Sequence, residues 1–241
     1  MARYVQEAVP VVDDILARGK LPIVAGGTGL YIDNLVAGRQ FAPFTPDSGL
    51  REALQARAST EGLPVLLEEL RAVDSAAAER LHPNDEKRII RALEVWYETG
   101  CTITEHDRQE QQRPPKYDAL YIGLDFLDRQ DLRDRIDKRV DTMVEQGLLE
   151  EVEALLASGL PRDATALQAI GYKQFLAVAE GTATRQEAIA EVKLRSRQYA
   201  KRQLTWLRRN PDIFWVRWER RPNFPEGLQK ATEYLHSRGL C

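Results

Sequence analysis

Cysteine is almost missing from this chain of 241 residues, which has only Cys101 and Cys241. With no CxxC and no set of pairs, a disulfide framework is excluded, and a reducing cytoplasmic compartment is expected. His82, His106 and His236 lie far apart in sequence, so nothing has zinc-ligand spacing and no metal site is expected from them. Long apolar runs are lacking too, and none approaches the ~20 residues needed to cross a bilayer. Residues 1–16 carry Arg3, Glu7, Asp13 and Asp14 where a signal peptide would need an apolar core. There is no surplus of positive charge. Against 37 Asp and Glu stand 34 Lys and Arg, a formal net charge of −3. The whole molecule is therefore no basic nucleic-acid binder, and any RNA contact must come from local patches. No internal repeat, no low-complexity segment and no GxxxxGK[ST] phosphate loop occurs.

What is present begins with a 43% hydrophobic composition, enough for a real core in one domain or one domain with an insertion. Val5, Ala8, Val12, Ile15 and Leu16 recur at helical spacing and predict a helix over 2–18, ended by Gly19. Leu21 to Ala25 is short and apolar, suited to a buried strand. Gly26 to Gly29 turns the chain, and Leu30 to Val36 starts a helix. Helix, strand, turn and helix with short joints imply an α/β layer protein. Residues 40–50 break the pattern with Pro43, Pro46 and Gly49. From Leu50 to about Gly100 every signal is helical, with Asn84 a candidate N-cap and Gly100 a candidate stop. Residues 105–116 are polar, with Pro114 and Pro115, and form a second break. Strand signals return at Ala119 to Asp125. The expected organisation is an α/β core from 1–45 and 117–241, with a helical insertion at 46–116. Helices are expected over 129–146, 148–157, 172–179 and 184–209, then a strand at Ile213 to Val216 and a closing helix over 225–238.

Five segments could carry chemistry, and each also has a plainer reading. Gly26 and Gly27, followed by Thr28, could let backbone approach an anion at a helix start; equally, they could serve only to turn the chain. In HPNDEKRIIR, Lys87, Arg88 and Arg91 share one side of a helix and could grip phosphates, or form a solvated face paired with Glu94 and Glu98. Arg135 and Arg139 flank the apolar stripe Leu132, Ile136, Val140 and Met143. They could hold a diphosphate, or Arg135 could pair with Asp131. Gln168 to Lys173 places a glycine before a helix, for RNA contact or ordinary helix entry. Lys193 to Arg209 holds seven Lys or Arg and no acid. Arg195, Arg202 and Arg209 repeat along one stripe beside Tyr199 and Trp206, and Arg197, Lys201 and Arg208 form another around Leu204. Cations beside aromatics suit a nucleic-acid backbone and unstacked bases. The alternative is a helix balanced by acids elsewhere in the fold.

Five stretches in this order, LPIVAGGTGLY, HPNDEKRIIRALEVWYETG, RIDKRVDTMVEQGLLEEV, ALQAIGYKQF and AKRQLTWLRR, resemble the bacterial tRNA dimethylallyltransferase (tRNA isopentenyltransferase) family. The resemblance runs from residue 1 to about Val216. It implies a P-loop kinase-like parallel sheet with a helical insertion, nucleotide (ATP) binding and Mg²⁺. It also implies a monomer that transfers a dimethylallyl group from dimethylallyl diphosphate to N6 of adenine 37 in the tRNA anticodon stem-loop. The positions it implies for tRNA are Thr28, Arg51, the stretch Lys87, Arg88, Ile89, Ile90 and Arg91, the stretch Gln168, Ala169, Ile170, Gly171, Tyr172 and Lys173, and the stretch Lys201, Arg202, Gln203, Leu204, Thr205, Trp206, Leu207 and Arg208. Arg135, Arg139, Gly26 and Gly27 are implied for the diphosphate. The family's phosphate loop and its catalytic Asp would precede the glycine turn, and neither motif is present. The catalytic residue is thus unassigned, and the chain is expected to be truncated or wrongly started, with exposed sheet edges and little transferase activity alone. The alternative is a tRNA-binding fragment without catalysis.

Overall fold

The helix predicted at the start forms as α1, Ala2–Ala17, and passes through Pro10. A computed structural model of the chain describes residues 1–42 and 49–240; Pro43, Pro46, the 45/46 boundary and Cys241 lie outside the described residues. The chain divides into two compact units, 1–26 with 30–118, and 27–29 with 119 onward.

In the first unit α1 buries Val5, and Tyr4 stacks on Tyr31 with ring centroids 4.8 Å apart. Asp13 of α1 accepts hydrogen bonds from Lys116 Nζ at 2.6 Å and from the Tyr117 hydroxyl at 2.7 Å. Leu21 to Ala25, expected as a buried strand, is not one. The described residues form only one sheet, of two strands, and both lie elsewhere. Ile23 is 84% exposed. An apolar run becomes a strand only where another backbone takes up its N–H and C=O groups, and no described segment does. Helix α2 is Gly29–Ala37.

Then come α3 (Leu50–Thr60), α4 (Leu63–Val73), α5 (Ser75–Arg80), α6 (Glu86–Thr99) and α7 (Ile103–Gln111). Leu54, Leu66, Leu70, Ile89 and Leu93 make their common core. Burying each such side chain stabilises by about 1.5–3 kcal/mol before chain entropy is counted. The caps explain where these helices start. Asp85, not Asn84, caps α6, accepting from Arg88 N, while Asn84 N donates to His82 Nδ1. Gly100 stops α6 in the left-handed conformation (φ 67°), as its position predicted. The polar break expected at 105–116 is helical as far as Gln111. Thr102 caps it, accepting from Glu105 N at 3.1 Å, and Arg108 donates twice to Glu105 at 2.8 Å. Ion pairs one turn apart sustain a helix that lacks an apolar stripe.

The second unit starts with β1 (Ile122–Phe126) and α8 (Arg129–Glu145), then α9 (Leu148–Ala157), a 3-10 turn at Thr165–Gln168, and α10 (Tyr172–Ala179). It ends with α11 (Arg185–Leu207), β2 (Phe214–Trp218) and α12 (Phe224–Ser237). β1 and β2 pair in parallel, with Ile122 opposite Phe214 and Phe126 opposite Trp218. The parallel α/β expectation holds, with β1 starting later than its apolar run and β2 extending beyond Val216. Val140, Val152, Phe175, Ala188 and Val192 form the core that joins α8 to α11. Thr184 and Glu187 close a capping box that fixes the start of α11.

Candidate RNA and phosphate site

The glycine turn 27–29 belongs to the same unit as the cationic helix α11, and three contacts bind them. Gln203 Nε2 donates to Gly27 O at 2.9 Å. Thr28 Oγ1 and the Tyr199 hydroxyl lie 3.4 Å apart. At Gly29 an added Cβ would stand 2.1 Å from Trp206 Cδ1. Glycine is therefore required at 29 because an indole packs directly on the backbone. A Cβ at Gly26 would meet nothing within 4 Å.

The seven cations from Lys193 to Arg209 divide into two groups. Lys193 pairs with Asp141 at 2.6 Å, Arg195 with Glu191 at 2.6 Å, Arg197 with Asp137 at 2.7 Å and Arg208 with Asp125 at 3.3 Å. For Lys193, Arg195 and Arg197 the acid-balanced reading is right, whereas Arg208 shares its one acid, Asp125, with Arg129. Lys201, Arg202 and Arg209 have no acid partner among the described residues. The Arg202 guanidinium lies 5.8 Å from the Tyr199 ring centroid, and that of Arg209 5.1 Å from Trp206. An open depression of about 500 Å³ is lined by Gln198, Lys201, Arg202, Thr205, Trp206 and Arg209. Within the implied stretch 201–208, Leu204 and Leu207 are half-buried, while Thr205 is exposed. Gln198, Tyr199 and Arg209 fall outside that stretch. The signal for two of them was in the sequence: Tyr199 to Trp206 and Arg202 to Arg209 are each two helical turns apart, on one face.

Arg135 and Arg139 are exposed on α8. The alternative pairing of Asp131 with Arg135 does not form; Asp131 Oδ2 accepts from Arg220 N at 3.1 Å. In the stretch 168–173, Gly171 (φ 104°) precedes α10 and its N–H donates to Gln174 Oε1 at 2.9 Å. Gln168, Ala169, Ile170 and Lys173 are exposed. The Tyr172 hydroxyl donates to Glu151 at 2.6 Å, which holds its pKa above the ordinary tyrosine value.

The other implied residues belong to the first unit. Arg51 Nε and Nη2 donate to the two oxygens of Glu94 at 2.5 and 2.7 Å. Arg91 donates to Glu94 at 3.3 Å and to Ala42 O at 2.9 Å. Glu94 is only 1% exposed, so it is not the solvated partner expected. Burial pushes its carboxyl upward, but the hydrogen bonds and charges of Arg51 and Arg91 outweigh this and hold it below the ordinary glutamate value. Ile89 and Ile90 are core residues, whereas Lys87 and Arg88 are exposed. Arg88 pairs with Asp85.

The family described as IPP transferase matches residues 1–210.

This chain belongs to that family.

Among its relatives, a tRNA dimethylallyltransferase of a Thermoanaerobacter species is 42% identical over 236 residues, 98% of this chain and 75% of the relative. One from Acetivibrio thermocellus is 38% identical over 240 residues, 100% of this chain and 76% of the relative. Of solved structures, the tRNA isopentenylpyrophosphate transferase of Bacillus halodurans is 34% identical with a TM-score of 0.65, covering 98% of this chain and 72% of that one. A eukaryotic dimethylallyltransferase acting on tRNA is 28% identical with a TM-score of 0.77, covering 97% and 60%. The IPP transferase glycine turn and the C-terminal half of α11 are both inside the matched span.

Proposed function

We propose that this chain transfers a dimethylallyl group from dimethylallyl diphosphate to N6 of adenine 37 in tRNA. Relatives 38–42% identical across essentially the whole chain carry the name of that activity, and they favour transfer over binding alone. The observation in the fold that carries the reading is the face of α11 where Lys201, Arg202 and Arg209 stand beside Tyr199 and Trp206, next to Thr28.

The chemistry asks for such a face. An adenine amine cannot react while its base is stacked, so the base must be drawn out of the RNA. Aromatic rings take up unstacked bases, and cations hold the backbone. On this reading Thr28 meets the tRNA, and Arg135, Arg139, Gly26 and Gly27 meet the diphosphate. Arg51, Lys87 to Arg91, Gln168 to Lys173 and Lys201 to Arg208 meet a tRNA bound by a single copy of the chain, with residues 46–116 as the helical tRNA-binding insertion. Among the described residues no three His, Cys, Asp or Glu gather as metal ligands, and the buried Asp125 is bonded to two arginines. No step is assigned to Mg²⁺. No helix among the described residues is long and apolar enough to cross a membrane.

The test is label transfer from dimethylallyl diphosphate, with Mg²⁺, to an anticodon stem-loop. Label on N6 of the target adenine is expected; salt-sensitive binding with no labelled product would leave an RNA-binding chain only. Lys201→Ala should weaken stem-loop binding several-fold and flatten its dependence on log salt by about 0.7–0.9, the loss of one phosphate contact. Unchanged affinity in a low-salt filter assay counts against the patch.

A further inference from the structure

Asp125 closes the apolar run of β1, and its side chain is 2% exposed. Its Oδ1 accepts from Phe126 N at 2.9 Å and from Arg129 Nη1 at 3.2 Å. Its Oδ2 accepts from Arg129 Nη2 at 3.3 Å and also from Arg208 Nη2 at 3.3 Å. One buried carboxylate is thus shared by two guanidiniums, one from the first turn of α8 and one from the end of α11. A single bidentate arginine would already neutralise it. The second leaves the cluster with a net charge of +1.

That surplus is accessible. The Arg129 and Arg208 side chains are 42% and 50% exposed. Arg208 commits only Nη2 to Asp125, so most of its five N–H donors remain available. The pair stands at the carboxyl end of a parallel strand, the side on which α/β sheets take their ligands. Two convergent guanidiniums with spare donors match the oxygens of a phosphate. Arg208 closes the stretch assigned above to RNA, whereas Arg129 and Asp125 lie in none of the assigned stretches.

We propose that Arg129 and Arg208 form a phosphate-binding pair and that Asp125 is the positioning residue that holds them side by side. This rests on the function proposed above and adds a subsite to it. The phosphate belongs either to the RNA backbone or to the diphosphate of the prenyl donor.

The experiment measures two ligands against the whole chain, the anticodon stem-loop as a function of salt and inorganic pyrophosphate by calorimetry. Arg129→Ala and Arg208→Ala are each expected to weaken one of them roughly tenfold, the loss of a charged hydrogen bond. If the source is RNA, stem-loop affinity falls, its salt slope drops by about one unit, and pyrophosphate is unaffected. If it is the donor, pyrophosphate binding falls and the salt slope stays. Asp125→Asn should weaken the same ligand by a similar factor in the wild-type background and have no further effect when both arginines are already alanine. A merely structural Asp125 would instead weaken binding equally in both backgrounds; that result, or unchanged or tighter binding by Asp125→Asn, overturns the positioning role. Wild type binding normally with neither arginine variant altered overturns the pair alone. Wild type binding neither ligand overturns the functional reading and the pair together. Arg208→Ala removes only one of the bonds to Asp125, so its result stands even if Asp125→Asn, or Arg129→Ala, which takes the bidentate partner from a buried carboxylate, does not fold.

Discussion

Glu94→Ala should lower the unfolding free energy of the helical stretch α3–α7 by about 3 kcal/mol, the cost of breaking a buried ion pair, read as an earlier urea midpoint. Glu94 is 1% exposed and accepts from both Arg51 and Arg91, so its removal strips two guanidiniums of their shared partner and opens space beside Leu93. The sign of the pH effect follows from its carboxyl, which the fold holds below the ordinary value of 4.5. The folded state therefore favours the charged form. Its stabilisation is fully present above about 4.5 and is lost as pH falls through the lower folded value. Glu94→Gln should flatten this acid limb of the stability curve and leave the other carboxylates' share intact. An acid limb identical to wild type would show that Glu94 is not held charged by the two arginines. The same pair complicates any test of Arg51 as an RNA contact: Arg51→Ala removes the bidentate partner of a buried acid, so loss of RNA binding by that variant counts only if its urea midpoint is unchanged.

The sequence was a good guide where the deciding physics is local. The apolar periods of α1 and α8 and the glycine stop at 100 all depend on residues within a turn or two of each other. It misled where a partner decides. Leu21 to Ala25 has the composition of a strand, and no described backbone pairs with it. Residues 103–111 have the composition of a loop, and ion pairs between neighbouring turns with one threonine cap make them a helix. The site divides in the same way. The aromatic and cationic face of α11 is visible from spacing alone. Which of the seven cations from Lys193 to Arg209 have acid partners is not, because Asp125 lies 83 positions before Arg208, Asp137 60 before Arg197 and Asp141 52 before Lys193. Asp125 gave one faint signal, an acid at the end of an otherwise apolar strand. The contact of Gly27 with Gln203 spans 176 positions, a distance over which a lone glycine motif carries no information about its partner.

The glycine turn also yields the sharpest functional expectation. Gly29→Val should weaken stem-loop binding by about 1–3 kcal/mol, roughly five- to 150-fold, the worth of one base stacked on an indole that the valine displaces. A Cβ at 29 would stand 2.1 Å from Trp206 Cδ1 and 2.5 Å from its Nε1. Neither atom is the far end of a flexible chain, so either the indole or the turn must move. Moving the indole takes away the ring beside Arg209, and moving the turn carries Thr28 away from Tyr199. Both routes dismantle the face to which RNA binding is assigned. The double variant Gly29→Val with Trp206→Ala separates the clash from any general damage. Trp206→Ala alone should reduce binding through the lost stacking surface, by about 1–3 kcal/mol per base. With the indole gone the valine has room, so adding it should reduce binding little further, and the two effects should be far from additive. Additive losses, one multiplying the other, would mean that the turn and the indole act independently and that the turn helps to build the RNA face by some route other than packing on Trp206.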